Sequence, residues 1–149
     1  MSTVEKSIVV DRPVRTVYDQ WTQFEDFPRF MEGVEEVVQL DDTRLHWVAE
    51  IAGAKREWDA EITQQIPDQE VAWRSLNGSD NAGVVTFQPL GADSTNVTLR
   101  LDFDPEGLME TIGDKLGFVS KRTEGDLERF KDFIESRGVE TGAWRGQVS

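Results

Sequence analysis

The chain has 149 residues, of which 29 are acidic and 16 basic, giving a formal net charge of -13. This length fits one compact domain with a single core. The negative charge repels phosphate backbones, which makes nucleic acids and anionic membrane surfaces poor partners. The sequence contains no cysteine, which excludes disulfides, thiolate metal sites and cysteine nucleophiles.

The N-terminal part predicts a strand followed by a short helix. Apolar residues alternate in TVEKSIVV and indicate a strand over about residues 3–10. Pro13 suits the first position of a helix. The apolar residues that follow recur at helical spacing up to Trp21, which predicts a short amphipathic helix whose apolar stripe faces the core.

The next stretch, WTQFEDFPRFMEGV, is crowded with aromatic rings at three-residue spacing. Pro28 lies among them and removes a backbone hydrogen-bond donor. The helix is therefore expected to break and restart as a second short turn before Gly33.

From Val34 the apolar period changes to two, which predicts six further strands in hairpin succession. In the first of them Val34, Val38 and Leu40 are expected to share the inner face. His46 is expected on the outer face, away from the core. The inward residues predicted for the later strands are Leu45, Trp47, Ala49, Ile51, Trp58, Ala60, Ile62, Val71, Trp73, Val85, Phe87, Val97, Leu99, Leu101 and Phe103.

The C-terminal third predicts one long helix. After Pro105, apolar residues recur at steps of three or four for about 30 residues and stop at Gly138. We expect a domain over residues 1–138 and a flexible tail over residues 139–149, although Trp144 is an unusual side chain to leave in water. The complete pattern predicts an α+β domain with an antiparallel sheet packed on this helix.

This order of elements, with DRPVRTVYDQWTQFEDFPRFMEGV, resembles the START-like or SRPBCC superfamily, and within it the polyketide cyclase/dehydrase and coenzyme Q-binding-like group. The likeness covers about residues 3–137. The resemblance implies the helix-grip fold, in which a curved seven-stranded antiparallel sheet wraps around a long C-terminal helix. Two short helices lie between strands 1 and 2. It also implies an apolar cavity between the sheet and the helix.

The expected ligand-binding residues line that cavity. They are Tyr18, Trp21, Phe27, Phe30, Met31, Trp47, Trp58, Ile62, Gln64, Trp73, Ser75, Phe87, Leu99, Leu101, Leu108, Ile112 and Leu116. Almost all are hydrocarbon or aromatic. Tyr18, Gln64 and Ser75 are the uncharged polar exceptions and have a purely structural alternative. The tryptophans could stack on a flat ligand or form ordinary core.

Three functions stay open. The first is non-catalytic binding of an apolar or aromatic small molecule such as a lipid, isoprenoid quinone or polyketide. The second is a polyketide aromatase/cyclase (dehydrase), for which the sequence identifies no catalytic residue, because no inward Arg, His or carboxylate is placed. The third is a protein-binding or dimerising module that uses Trp144 and the glycine-containing face of the long helix as its contact surface.

The expected partners follow from composition. We expect a hydrophobic small molecule, no nucleic acid, no stable membrane insertion, and a monomer or weak homodimer. No cofactor and no metal are expected, since no motif for either occurs. The polar start and the lack of a long apolar run predict a cytoplasmic protein.

Overall fold

Seven strands, two α-helices and one 3-10 helix make up the part of the chain described by the computed structural model, residues 2–51, 53–77, 81–103 and 115–148. The elements in chain order are β1 Ser2–Val10, α1 Val14–Trp21, the 3-10 helix Phe24–Arg29, β2 Val34–Gln39, β3 Arg44–Ile51, β4 Ala54–Ile66, β5 Glu70–Ser75, β6 Asn81–Gly91, β7 Ser94–Phe103 and α2 Lys115–Arg137. No helix of this part is long and apolar enough to cross a membrane.

The strands form one antiparallel sheet with the order β1-β7-β6-β5-β4-β3-β2. Consecutive strands from β2 to β7 are hairpin neighbours, whereas β1 pairs with β7, where Ser2 lies opposite Phe103. The sheet is open and curved, and α2 lies against it. The predicted helix-grip fold, with seven strands, is therefore confirmed.

Helix α2 carries the predicted apolar stripe. Thr123, Leu127, Phe130 and Ile134 are all buried, because residues three or four apart share one face of a helix. The helix ends at Gly138, whose φ of 80° is the left-handed conformation that glycine adopts readily. The part of this helix expected between residues 105 and 114 lies outside the described residues.

The two short helices form as predicted on either side of Gln23. Helix α1 starts after Pro13, and Pro28 lies inside the 3-10 helix. Their rings pack into one cluster. The centroid of Trp21 is 5.6 Å from that of Phe27 and 4.8 Å from that of Phe130 on α2.

A bulge in β2 corrects one predicted face. The register between β2 and β3 shifts between Val34 and Glu36, so Val37 pairs with the inward-facing Trp47 and is buried. Val38 pairs with His46 on the outer face, and Leu40 is 55% exposed. The expectation that Val38 and Leu40 face the core was wrong, because a bulge adds one residue and reverses the alternation.

A second bulge, in β4, has the same effect. The register with β5 shifts between Ile62 and Gln64. As a result Gln65 is fully buried while Gln64 is half-buried.

Candidate functional site: a cavity between the sheet and helix α2

A partly open cavity of about 170 Å³ lies between the inner face of the sheet and the N-terminal half of α2 as described. The 3-10 helix and the end of α1 close one side. The cavity is lined by Trp21, Phe27, Met31, Trp47, Trp58, Trp73, Asn81, Leu99, Leu101, Asp102, Phe103, Val119, Thr123 and Asp126.

Indole rings dominate the wall, with four of the chain's five tryptophans lining the cavity. Trp47 and Trp58 are direct partners across β3 and β4. Their rings are stacked, with a centroid distance of 5.9 Å and an interplanar angle of 3°. Trp73 comes from the neighbouring strand β5 and Trp21 from α1, so the indoles reach the cavity from the sheet and from a helix. Such a wall offers flat, apolar faces to a flat, apolar guest.

Asp126 is the ionisable side chain that α2 contributes to this wall. Its side chain is only 15% exposed. The Oδ1 atom accepts hydrogen bonds from the backbone N–H of Glu32 at 3.0 Å and from Nη2 of Arg129 at 2.5 Å. Burial raises the pKa of Asp126 to about 6, and these two donors limit the rise.

Arg129 fixes the position of this carboxylate. Its Nε atom donates to the backbone oxygen of Phe30 at 2.9 Å while its Nη2 atom holds Asp126. Both hydrogen bonds that Asp126 accepts fall on Oδ1, so its second oxygen can accept a proton or a hydrogen bond from a guest. A carboxyl group with a pKa near neutrality suits either role.

Thr123, one turn before Asp126, has no free hydrogen-bond donor for a guest. Its hydroxyl donates to the backbone oxygen of Val119 at 2.7 Å. It can therefore only accept a hydrogen bond from a guest.

Eight of the predicted ligand-binding residues meet at the cavity. They are Trp21, Phe27, Met31, Trp47, Trp58, Trp73, Leu99 and Leu101. Whether they bind a ligand stays a prediction.

Six others lie elsewhere, and packing explains three of them. Tyr18 is fully buried against Phe87, at a centroid distance of 5.4 Å with edge-on geometry. Phe30 packs edge-on against Phe130 at 5.2 Å, behind the cavity wall. These rings support the wall from outside the cavity.

The remaining three, Ile62, Gln64 and Ser75, lie outside the cavity lining. Ile62 borders a separate small void beneath Trp47. Gln64 is displaced by the β4 bulge. The Oγ atom of Ser75 accepts a hydrogen bond from the backbone N–H of Asn81 at 3.1 Å. Of these two residues, Asn81 lines the cavity.

Three predicted positions cannot be placed. Leu108 and Ile112 lie outside the described residues, and the same holds for the side chain of Leu116.

Sequence reasoning did not assign Asn81, Asp102, Phe103, Val119, Thr123 or Asp126 to the site. For Asp126 a signal was present, because Val119, Thr123 and Asp126 follow each other at steps of four and three. This is the spacing of one helical face. From the sequence alone, a carboxylate on that face would be interpreted as a surface residue, because the position of the helix against the sheet is not yet known.

The only histidine lies outside the cavity, on the outer face of the sheet as expected. Its Nδ1 atom is 2.7 Å from Oδ1 of Asp59 and its Nε2 atom is 3.3 Å from Oε1 of Glu57. These hydrogen bonds raise the pKa of His46 above its usual value of 6.5. The geometry gives His46 no access to a guest in the cavity.

The sequence of this chain matches the model of one protein family. A family model described as polyketide cyclase/dehydrase and lipid transport matches residues 10–132. An uncharacterized 17.2 kDa protein from the melC2-rnhH intergenic region of Streptomyces lincolnensis is 58% identical over 149 residues, which cover 99% of each chain.

Solved structures show the same fold. The protein DR_A0006 of Deinococcus radiodurans is 30% identical, with a TM-score of 0.73 over 93% of this chain and 100% of its own. The Zhui aromatase/cyclase of Streptomyces sp. R1128 is 18% identical, with a TM-score of 0.78 over 96% and 99% of the two chains. A START superfamily protein of Mycobacterium smegmatis is 19% identical, with a TM-score of 0.71 over 91% and 95%.

Proposed function

This chain belongs to the polyketide cyclase/dehydrase and lipid transport family, and we propose that it binds an apolar or aromatic small molecule in the cavity beneath α2. A lipid, an isoprenoid quinone or a polyketide has the required chemistry. The observation that carries the proposal is the wall of four indoles around an open, largely hydrocarbon space.

The size of the cavity narrows the guest. An apolar cavity of roughly 150 Å³ accommodates a benzene-sized ring, and this cavity has about 170 Å³. One end of the guest is therefore a small ring or a short apolar segment. A longer molecule would extend through the opening. Ring contacts with Trp47 and Trp58 would each add about 0.5–1.5 kcal/mol beyond the area buried.

Extraction and titration test this proposal. The purified protein is extracted with organic solvent for mass spectrometry, then titrated with N-phenyl-1-naphthylamine, an uncharged aromatic probe, while tryptophan emission is recorded. Because four of the five indoles line the cavity, saturable quenching is expected. Absence of both a bound species and saturable quenching would reject the proposal.

Two matched variants locate the binding. Trp58→Phe removes an indole from the cavity wall and is expected to weaken probe binding. Trp144→Phe removes the indole that does not line the cavity but keeps the backbone N–H that donates to Thr22, and it should leave the affinity unchanged. Equal affinities in the two variants would place the probe elsewhere.

A second candidate function is a polyketide aromatase/cyclase, which Asp126 favours. Aldol closure of a poly-β-keto chain needs a base to remove a proton from carbon and an acid to release water. A positioned carboxyl group with a pKa of about 6 can exchange a proton near neutral pH. The likeness to the Zhui aromatase/cyclase, at 18% identity, supports the fold alone.

Turnover separates the two functions. A poly-β-keto thioester is incubated with the protein and with Asp126→Asn, and cyclised products are measured by mass spectrometry. Products with the unaltered protein that disappear in Asp126→Asn, while probe binding persists, would support the cyclase. Probe binding without turnover above the uncatalysed rate would leave the binding function alone.

A further inference from the structure

Residues 139–148, here called the C-terminal segment, lie beyond the family match and dock against the C-terminal end of α1. Several hydrogen bonds join the segment to the domain. Thr141 donates its N–H to Gln20 Oε1 at 2.9 Å and its hydroxyl to Asp26 Oδ2 at 2.5 Å, and it accepts from Gln20 Nε2 at 3.1 Å. The N–H of Trp144 donates to Thr22 Oγ1 at 3.1 Å, and Gln65 and Val148 exchange backbone hydrogen bonds at 2.8 and 2.9 Å. The sequence predicted a flexible tail over residues 139–149, and in the structure Thr141, Trp144 and Val148 of this stretch have these partners in the domain.

Arg145 is the centre of this docking. Its Nη1 atom donates to Oδ1 of Asp19 at 2.5 Å and its Nη2 atom lies 2.9 Å from Oδ2 of Asp68. The guanidinium carbon lies 5.5 Å from the centroid of the Tyr18 ring. Arginine suits this arrangement because its planar fork can hold two carboxylates while it stacks on a ring.

The domain offers buried polar side chains to this segment. Asp19, Gln20 and Thr22 are at most 2% exposed, and each finds a partner in the segment. For Asp19 the other cation is Arg15, at 3.8 Å and largely exposed. A buried carboxylate without a close cation is unfavourable, so Arg145 is the cation that stabilises Asp19 near the end of α1.

Helix α1 is held by the packing of Val17, Tyr18 and Trp21 in the core, and its C-terminal end is held by the C-terminal segment. It has eight residues, and no side chain caps its N-terminus. Helices this short are marginal without tertiary contacts. The three docked side chains all lie within its last turn or just after it, on both sides of Trp21.

We propose that the C-terminal segment is a clasp that positions α1, and that Arg145 is the positioning residue that sets where the Trp21 indole lies in the cavity wall. Only the effect of the clasp on ligand binding rests on the proposed function, since a displaced Trp21 would change the space that the cavity offers to a guest. The clasp itself can be tested without a guest.

Fluorine NMR of full-length protein labelled with 5-fluorotryptophan is the test, with the Trp21 resonance assigned from Trp21→Phe. In Arg145→Gln the Trp21 resonance is expected to shift and the Trp58 resonance to stay. Arg145→Lys keeps the positive charge but lacks the planar guanidinium that contacts both Asp19 and Asp68. An intermediate shift of the Trp21 resonance is therefore expected. An unmoved Trp21 resonance in folded Arg145→Gln would overturn the proposal.

Two more variants complete the design. Arg74→Gln removes an exposed ion pair with Glu61, of 3.1 Å, on the outer face of the sheet, and should leave the Trp21 resonance in place. If Arg145→Gln fails to fold, Asp68→Asn removes only the more exposed partner of Arg145, and a smaller shift in the same direction is expected. No shift there would also reject the clasp.

Probe binding then links the clasp to the cavity. The dissociation constant of N-phenyl-1-naphthylamine is expected to rise about tenfold in Arg145→Gln and to stay unchanged in Arg74→Gln. An unchanged constant in Arg145→Gln would reject the link to the cavity. If the unaltered protein binds no probe, the proposed function fails, while the NMR result still decides the clasp.

Discussion

The indole of Trp73 occupies the space that a side chain at Gly83 would need. The two residues are direct partners across β5 and β6. A Cβ atom placed on Gly83 would lie 2.7 Å from Cε2 of Trp73, well inside van der Waals contact. The position of one cavity wall therefore depends on the absence of a side chain on the neighbouring strand.

Gly83→Ala is expected to destabilise the protein by about 1–3 kcal/mol, because an added methyl group in a packed region forces its neighbours to move. The displaced Trp73 should also lower the affinity for N-phenyl-1-naphthylamine. Urea unfolding and probe titration measure the two effects. Gly91→Ala is the control, since nothing lies within 4 Å of its added Cβ, and equal effects in both variants would contradict the explanation.

Asp126 should make stability depend on pH in a defined window. Its pKa is about 6 in the folded protein against 3.8 for the unperturbed group, so the folded state binds the extra proton between these values. Its favourable contribution is complete below pH 3.8 and is lost as the pH rises through about 6. The loss is at most about 3 kcal/mol.

The unfolding free energy is measured in urea from pH 4 to pH 7. Between pH 4 and pH 6 the unaltered protein should lose stability relative to Asp126→Asn. The exposed carboxylate variant Asp93→Asn, in the β6–β7 turn, controls for a general change in charge. Parallel pH curves for the unaltered protein and Asp126→Asn would show that Asp126 is not perturbed.

His46 should titrate above pH 6.5, because Asp59 and Glu57 accept hydrogen bonds from its charged ring. The stability that it contributes is present below pH 6.5 and is lost as the pH rises through the raised pKa. Proton NMR of the ring measures the pKa directly. Asp59→Asn should lower the pKa of His46 more than Glu57→Gln does, since Asp59 is 2.7 Å from the ring and Glu57 is 3.3 Å from it. Equal pKa values in the unaltered protein and both variants would contradict this prediction.

The stripe of α2 should carry a large share of the stability. Leu127 is 1% exposed, and truncating such a residue to alanine costs about 2–5 kcal/mol through lost burial and the cavity left behind. Leu90, which is 54% exposed, gives the matched control, and Leu90→Ala should cost less than about 0.5 kcal/mol. Thermal and urea unfolding would show whether the two variants differ as expected.

The spacing of apolar residues predicted the strands and helices well, because an element that buries one face needs apolar residues at the repeat of that face. The alternation around Trp58 and the helical stripe through Leu127 both place side chains where the structure has them. The bulges were not predicted, since a single extra residue such as Thr63 leaves no mark in composition and is decided by pairing with the next strand.

The polar features of the site were harder to predict for a different reason. Asp126 looks like an ordinary surface residue until Arg129 and the backbone of Glu32 surround it. Arg145 meets its partner Asp19 from the opposite end of the chain. Such contacts depend on the three-dimensional arrangement, and no local pattern encodes them.

The pairing of β1 with β7 has a consequence for synthesis in the cell. Residue 2 finds its partner only when residue 103 has emerged from the ribosome. Until then β1 is an unpaired edge, and such edges can join foreign strands. Hairpins from β2 onward can form as they emerge, whereas the N-terminal strand has no partner in the sheet until β7 has been made.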